Sequence, residues 1–189
     1  AFPEHSEEYP WPLDEITYWE QGYLTQGVSE SFEMIYNNTE DALNKWANFW
    51  GFIAETYTGN PDVIGYNFIN EPWVGDYLDN PELQLPGVAG GRNLLPSYDV
   101  LNEAIREHDT EGIVFYEPVI YGQLLHGDAI GSGFDRVPGG EQYINVSAYS
   151  YHTYCWHLET VPKDAPEEER LEALENCING TNATDNGLI

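Results

Sequence analysis

The chain has 189 residues, of which 41% are hydrophobic and 14% aromatic, and its 33 Asp and Glu against 6 Lys and Arg give a formal net charge of −27. A surface this negative repels phosphate backbones and anionic lipid headgroups, which excludes sequence-independent nucleic-acid binding and polybasic membrane attachment. The apolar content excludes disorder along the whole chain, and the length is typical of one domain.

The first 38 residues are rich in proline, glutamate and tyrosine and lack a helical or strand period, so we expect a surface loop. Over residues 39–57 apolar side chains recur at helical spacing behind an acidic first turn, which predicts an amphipathic helix. Gly59 and Pro61 would end it. The apolar run over residues 63–69 is typical of a strand buried on both faces.

The same helix and strand pattern returns further along the chain. Ser97 is a candidate cap for a helix over residues 98–107, and an apolar strand over residues 112–116 follows. A third strand is predicted over residues 144–151. Strands alternating with helices indicate a parallel α/β sheet whose polar groups gather at the carboxyl ends of the strands, and the spacing suits an α/β barrel.

Glycines mark predicted loop tips over residues 87–91 and 131–140, and a final acidic helix is predicted over residues 164–176, before an unstructured tail. We therefore divide the chain into three segments: an N-terminal loop segment over residues 1–38, central barrel units over residues 39–155, and an acidic helix with a disordered tail over residues 156–189.

Four Asn-x-Ser/Thr sequons begin at Asn37, Asn145, Asn179 and Asn182. Four such sites favour a secreted or lysosomal, extracellular-type location over a chance occurrence. Cys155 and Cys177 allow one disulfide, although two free thiols fit the sequence equally well. We find no signal peptide and no apolar run of transmembrane length, and no spacing typical of a metal site.

The sequence Asn70-Glu71-Pro72 follows the first predicted strand. A glutamate in this place, beside Tyr66 and Trp73, would be partly desolvated, which raises its pKa and suits it to general-acid work. Asn70 could hydrogen-bond a sugar hydroxyl. The alternative is that Glu71 simply ends a strand and has no chemical role.

Four stretches in order carry a family resemblance: residues 63–76, 115–119, 133–140 and 150–155. Together they resemble the retaining glycoside hydrolases of clan A, and specifically the endoglycoceramidase-like branch of glycoside hydrolase family 5. The resemblance implies a partial (β/α)8 TIM barrel that contains about strands 4–6.

The resemblance also implies roles for individual residues. Glu71 would be the general acid/base, Asn70 a ligand of the sugar 2-hydroxyl, and His152 and Tyr154 members of the catalytic pocket, with Tyr154 hydrogen-bonding the nucleophile. Glu117, which also follows a strand, would be a supporting or substrate-binding residue of the pocket rather than the nucleophile.

Trp73 and Tyr66 could stack on a sugar, although such residues are more often packed in the core. Retaining hydrolysis needs a second carboxylate about 5–5.5 Å from the first, and the family's Glu-Phe-Gly phrase is not found after residue 155. We therefore expect an internal fragment that lacks the nucleophile and is inactive alone.

The resemblance thus implies a cofactor-independent glycosidase acting on a β-glycosidic bond, with a neutral or glycolipid carbohydrate as substrate, most specifically a glycosphingolipid cleaved into oligosaccharide and ceramide. Three alternatives stay open: a family 5 β-glucanase or β-glucosidase, a non-catalytic carbohydrate- or lipid-binding protein, and a small α/β domain without activity.

Overall fold

The computed structural model describes residues 13–120, 132–152 and 161–185, with residues 177–185 described by their backbone alone. Its strands are β1 Gly65–Asn67, β2 Ile113–Tyr116 and β3 Ser147–Tyr149. The α-helices in these ranges are α1 Gln26–Tyr36, α2 Ala42–Tyr57, α3 Leu95–Arg106 and α4 Glu167–Asp185.

The three strands form one parallel sheet in the order β1, β2, β3. Asn67 of β1 aligns with Phe115 of β2, and Tyr116 of β2 aligns with Tyr149 of β3. The predicted parallel α/β sheet is therefore confirmed, with strands shorter than the apolar runs that predicted them. All three carboxyl ends lie at one edge of the sheet.

Helices α2 and α3 pack against each other and against the sheet. The centre of this core contains side chains with no exposed surface, among them Ala54, Leu101, Ile105 and Val114. Full burial of a large aliphatic side chain contributes about 1.5–3 kcal/mol. A Cβ on Gly51 would lie 3.4 Å from the Ala104 carbonyl oxygen, so this glycine allows the two helices to approach closely.

Helix α1 lies where the sequence predicts a loop, so that prediction is wrong between the 3₁₀ turn Trp19–Leu24 and the end of α1. The hydroxyl of Thr25 caps α1 by accepting a hydrogen bond from the amide of Val28 at 3.4 Å. The residues that α1 buries are Gly27, Ser29 and Ser31. An apolar period does not reveal a helix whose inner face is small and polar.

Other helix boundaries also differ from the prediction. The segment Thr39–Asp41 is a 3₁₀ turn with positive φ at Glu40 and Asp41, so α2 begins only at Ala42. Ser97 is not a cap, because it lies inside α3 and its hydroxyl donates to the Asn93 carbonyl at 2.8 Å. Helix α4 continues to Asp185 through the predicted disordered tail, since its lone interior glycine weakens a helix without ending it.

The glycine-rich segments predicted as loop tips pack against each other. A Cβ on Gly90 would collide with the carbonyl oxygen of Ser132, and a Cβ on Gly133 would collide with that of Gly87. Gly133 also has a φ of +81°. The absence of side chains at these positions lets the two backbones meet. No helix within the described residues has the length and apolar character needed to cross a bilayer.

Candidate active site

Three side chains meet beyond the carboxyl edge of the sheet, each from the segment that follows a different strand. Glu71 follows β1, Glu117 follows β2 directly, and His152 follows β3. Functional groups of parallel α/β proteins gather at this edge because parallel strands all end there. The structure thus brings together Glu71, Glu117 and His152, three of the residues that the sequence singles out.

Glu71 and His152 are in direct side-chain contact. The Nδ1 atom of His152 lies 2.7 Å from Oε1 of Glu71, and the Glu71 side chain is only 8% exposed while the imidazole is 34% exposed. A contact of this length holds one proton between the two atoms, which either the carboxyl group or the ring nitrogen carries. The contact therefore places an imidazole nitrogen directly against a nearly buried carboxyl group.

Glu117 supports Glu71 through hydrogen bonds of its carboxylate. Its Oε2 accepts a hydrogen bond of 2.9 Å from the backbone N–H of Glu71, and its Oε1 accepts one of 2.7 Å from the side-chain amide of Asn67. The Nε2 atom of His152 lies 3.6 Å from the same Oε2. The side chain of Glu117 is 2% exposed, which fits the supporting role, and its predicted substrate-binding role stays a prediction.

The backbone of Glu71 is strained. Its φ is +50°, a left-handed conformation that non-glycine residues adopt at a cost of about 1–3 kcal/mol. Its N–H is bound by Glu117, and its carbonyl oxygen accepts a hydrogen bond of 3.2 Å from the hydroxyl of Tyr23. Pro72 follows and fixes its own φ. The strain lies at the residue for which chemistry is predicted.

Trp73 is a packing residue in this structure, and its predicted role in stacking on a sugar stays a prediction. The residue is 2% exposed, and its indole N–H donates to the hydroxyl of Ser29 at 3.2 Å. Its ring contacts Tyr23 and Tyr77, each at a centroid distance of 5.7 Å. The hydroxyl of Tyr36 donates to its carbonyl oxygen at 2.6 Å. Trp73 therefore anchors the segment after Glu71 to α1.

Tyr66 also belongs to the core, and its predicted substrate-binding role stays a prediction. It is 3% exposed, and its hydroxyl donates to Oδ2 of Asp109 at 2.6 Å. Burial, together with this carboxylate, raises the pKa of Tyr66 to about 12. Its polar end meets the loop before β2, while Glu71 lies beyond the opposite end of β1.

The other predicted site residues are placed as follows. The side chain of Asn70 is exposed beside Glu71 in the chain. Tyr154 and Cys155 lie outside the described residues, as does the side chain of Cys177, so neither the tyrosine's role nor a disulfide is described. Asn37 and Asn145 are exposed, and Asn179 and Asn182 lie in the backbone of α4.

Sequence reasoning missed Tyr23 and Asn67 as members of the site. Tyr23 falls in the segment predicted as loop. Asn67 falls within the apolar run predicted as strand, and a polar residue within such a run was the available signal. Within the described ranges, no group of three or more His, Cys, Asp or Glu side chains could hold a metal ion.

Comparison with known families agrees with this fold. The sequence profile of the cellulase family, glycosyl hydrolase family 5, matches residues 24–186. The chain belongs to glycosyl hydrolase family 5. Within that family it is related to the endoglycoceramidases, which confirms the resemblance expected from the sequence.

Two curated endoglycoceramidases illustrate the relationship. The protein from Cyanea nozakii is 42% identical over 147 residues, which cover 77% of this chain and 28% of the relative. The protein from Hydra vulgaris is 41% identical over 147 residues, which cover 77% of this chain and 27% of the relative. The chain thus spans less than a third of the length of these relatives.

Solved structures show the shared fold. The complex of endo-glycoceramidase II from Rhodococcus sp. with ganglioside GM3 superposes with a TM-score of 0.66 at 23% identity, over 93% of this chain and 37% of that one. An endogalactoceramidase superposes with a TM-score of 0.54 at 19% identity, over 90% of this chain and 34% of that one.

Proposed function

We propose that the complete protein containing this chain is a retaining glycosidase that cleaves the β-glycosidic bond between the oligosaccharide and the ceramide of a glycosphingolipid. The carrying observation is the buried carboxyl group of Glu71, held 2.7 Å from Nδ1 of His152 at the carboxyl edge of a parallel sheet. The family membership and the two endoglycoceramidase relatives support this substrate class.

In this proposal Glu71 is the general acid and then the general base. Ceramide leaves through a primary alcohol, and an alkoxide is a poor leaving group, so the glycosidic oxygen must be protonated as the bond breaks. Glu71 would donate that proton while its backbone is fixed by Glu117 and Tyr23. It would then remove a proton from the water that hydrolyses the glycosyl-enzyme intermediate.

The second carboxylate of the double displacement would come from outside this chain. Glu117 is unsuited to be the nucleophile, because both of its oxygens are engaged by Glu71 and Asn67 and its side chain is 2% exposed. We place the three strands as about strands 4–6 of a (β/α)8 barrel, in keeping with the order of the family segments. Asn70 would bind the sugar 2-hydroxyl, and Tyr154 would contact the nucleophile.

The proposed location is secreted or lysosomal. Two of the four sequon asparagines, Asn37 and Asn145, have exposed side chains that a glycan could reach. The substrate would be met as a glycolipid or as a neutral carbohydrate, since the net charge of −27 disfavours polyanionic partners.

The test is hydrolysis by the complete purified protein. Glucosylceramide, lactosylceramide and a soluble cello-oligosaccharide are incubated separately, and the products are identified by mass spectrometry and their anomeric form by proton NMR. We expect intact sugar of retained β-configuration together with ceramide. Cleavage of the cello-oligosaccharide alone would instead support a β-glucanase, and binding of glycolipid without hydrolysis would support a non-catalytic protein.

A further inference from the structure

We propose that Glu117 is a positioning residue, which fixes the backbone of Glu71 in its left-handed conformation and thereby holds the Glu71 carboxyl group against His152. The inference rests on the proposed function and deepens it, because it names the group on which proton delivery to the glycosidic oxygen depends. Glu117 does not touch the substrate in this proposal.

The first step is that Glu71 requires an external constraint. Four non-glycine residues in the described ranges have positive φ, and three of them lie together in the turn over residues 38–41. Glu71, at +50°, is the fourth. Such a conformation persists only where the surroundings determine it. The carboxylate of Glu117 and the hydroxyl of Tyr23 bind the N–H and the carbonyl oxygen of Glu71.

The second step is that Glu117 is itself rigidly placed. Its Oε1 is held by the amide of Asn67 at 2.7 Å, and its main-chain oxygen accepts from the buried hydroxyl of Tyr98 at 2.9 Å. The backbone N–H of Ile120 donates to the carbonyl of Pro72 at 2.8 Å, so the segments after β1 and β2 are also joined beyond the two glutamates. Glu117 can therefore act as a fixed reference for Glu71.

The third step is that one oxygen of Glu117 lies close both to the main chain of Glu71 and to the histidine that contacts the Glu71 side chain. Oε2 of Glu117 is 2.9 Å from the backbone nitrogen of Glu71 and 3.6 Å from Nε2 of His152, whose other nitrogen contacts the Glu71 carboxyl group. The main chain of Glu71 and the ring that engages its side chain are thus both arranged around a single buried atom. Loss of that atom would release the carboxyl group from its position.

Two substitutions separate the hydrogen bond from the charge. In Glu117→Gln the amide oxygen can still accept from the N–H of Glu71, while the amide nitrogen donates to Asn67 after rotation of the Asn67 amide. In Glu117→Leu both acceptors are lost at similar side-chain size. The variants are made in the complete protein, and circular dichroism confirms that each is folded. Should Glu117→Leu not fold, Glu117→Ala, which also removes both acceptors, takes its place with the same expected pattern.

The kinetic test uses two substrates with the same sugar. Lactosylceramide needs a proton on the oxygen of its leaving ceramide. 2,4-Dinitrophenyl β-lactoside needs none, because dinitrophenolate leaves without protonation. We expect Glu117→Leu to lower kcat/KM for lactosylceramide by about 100-fold and for the aryl lactoside by less than about tenfold, and Glu117→Gln to stay within about tenfold of the wild type on both. Equal losses on both substrates in Glu117→Leu, or a Gln variant as impaired as the Leu variant, would overturn the proposal.

Crystal structures of the two variants test the positioning without any substrate, and so separate its failure from failure of the proposed function. We expect Glu71 to leave the positive φ region in Glu117→Leu and to keep it in Glu117→Gln. A Glu71 that retains its left-handed φ and its contact with His152 in the Leu variant refutes the inference, whether or not the protein hydrolyses glycolipids. A wild type inactive on lactosylceramide refutes the proposed function alone.

Discussion

The indole N–H of Trp73 donates a hydrogen bond of 3.2 Å to the hydroxyl of Ser29, two residues 44 positions apart in the chain. Both are buried, and the bond joins the segment that follows Glu71 to the inner face of α1. Helix α1 therefore has a direct part in placing the segment that contains Glu71, although the sequence predicts a loop there.

Removal of the Ser29 hydroxyl should destabilise the protein. Ser29→Ala takes away the acceptor of a buried indole N–H, and we expect a loss of about 1–3 kcal/mol in the free energy of unfolding. Urea denaturation of the complete protein, followed by tryptophan fluorescence, measures it. Ser31→Ala is the matched control, because the buried Ser31 hydroxyl donates only to the Gly27 carbonyl within α1. Equal losses in the two variants would contradict this role of Ser29.

Replacement of Glu71 by glutamine should abolish proton donation while preserving shape. We expect kcat/KM for glucosylceramide to fall by about 10²–10⁴-fold. Glu82→Gln, at an exposed carboxylate paired with Arg92, is the control and should leave activity within about twofold of the wild type. Unchanged turnover of glucosylceramide by Glu71→Gln would contradict the acid/base assignment.

The packing of the two glycine segments predicts a difference between two alanine substitutions. Gly133 and Gly59 have φ values of +81° and +73°, so alanine is strained at both by about 1–2 kcal/mol. A Cβ at Gly133 would also collide with the Gly87 carbonyl, whereas nothing lies within 4 Å of a Cβ at Gly59. We expect Gly133→Ala to lower the free energy of unfolding by about 1–3 kcal/mol more than Gly59→Ala. Thermal and urea denaturation would reveal a similar effect at both sites if the segments were not packed together.

Acid should weaken the network around Asp109. Burial alone would raise the pKa of Asp109, but hydrogen bonds from Tyr66 and from the amides of Gly112 and Glu111, with the charge of Arg106, hold that pKa below its ordinary value. The folded state thus favours the ionised form. The resulting stability is fully present above the unfolded pKa of about 3.9 and is lost as the pH falls through the lower folded pKa.

The stability difference between the wild type and Asp109→Asn should therefore shrink below about pH 4. Tyr66→Phe, which removes a hydrogen bond that lowers the pKa of Asp109, should move this loss of stability to higher pH. Urea denaturation at a series of pH values between about 3 and 7 measures both effects. A stability difference between the wild type and Asp109→Asn that does not change with pH would show that ionised Asp109 does not stabilise the fold.

Much of the fold is legible in the sequence because its elements bury apolar side chains at regular intervals. Helices α2 and α3 show the helical period, and β2 is a continuous apolar run ahead of Glu117. Helix α1 is not legible, since Gly27, Ser29 and Ser31 form its inner face. Neither is the start of α3, where Ser97 bonds backwards to Asn93 instead of capping.

The site is legible only in part. Glu71 and His152 are 81 positions apart, and only the family resemblance joins them before the structure is known. The aromatic residues Tyr66 and Trp73 could equally suit a sugar or a core, because a large amphipathic ring serves both. Their buried partners, Asp109 and Ser29, show how both rings pack, and these contacts depend on packing that a sequence does not show.

Because Asn67 aligns with Phe115, the carboxylate of Glu117 lies where it can accept a hydrogen bond from the backbone N–H of Glu71. A gain or loss of one residue in either strand would turn every following side chain to the opposite face of the sheet, and Glu71 would lose its support in the same event. The register of β1 against β2 is therefore part of the site itself.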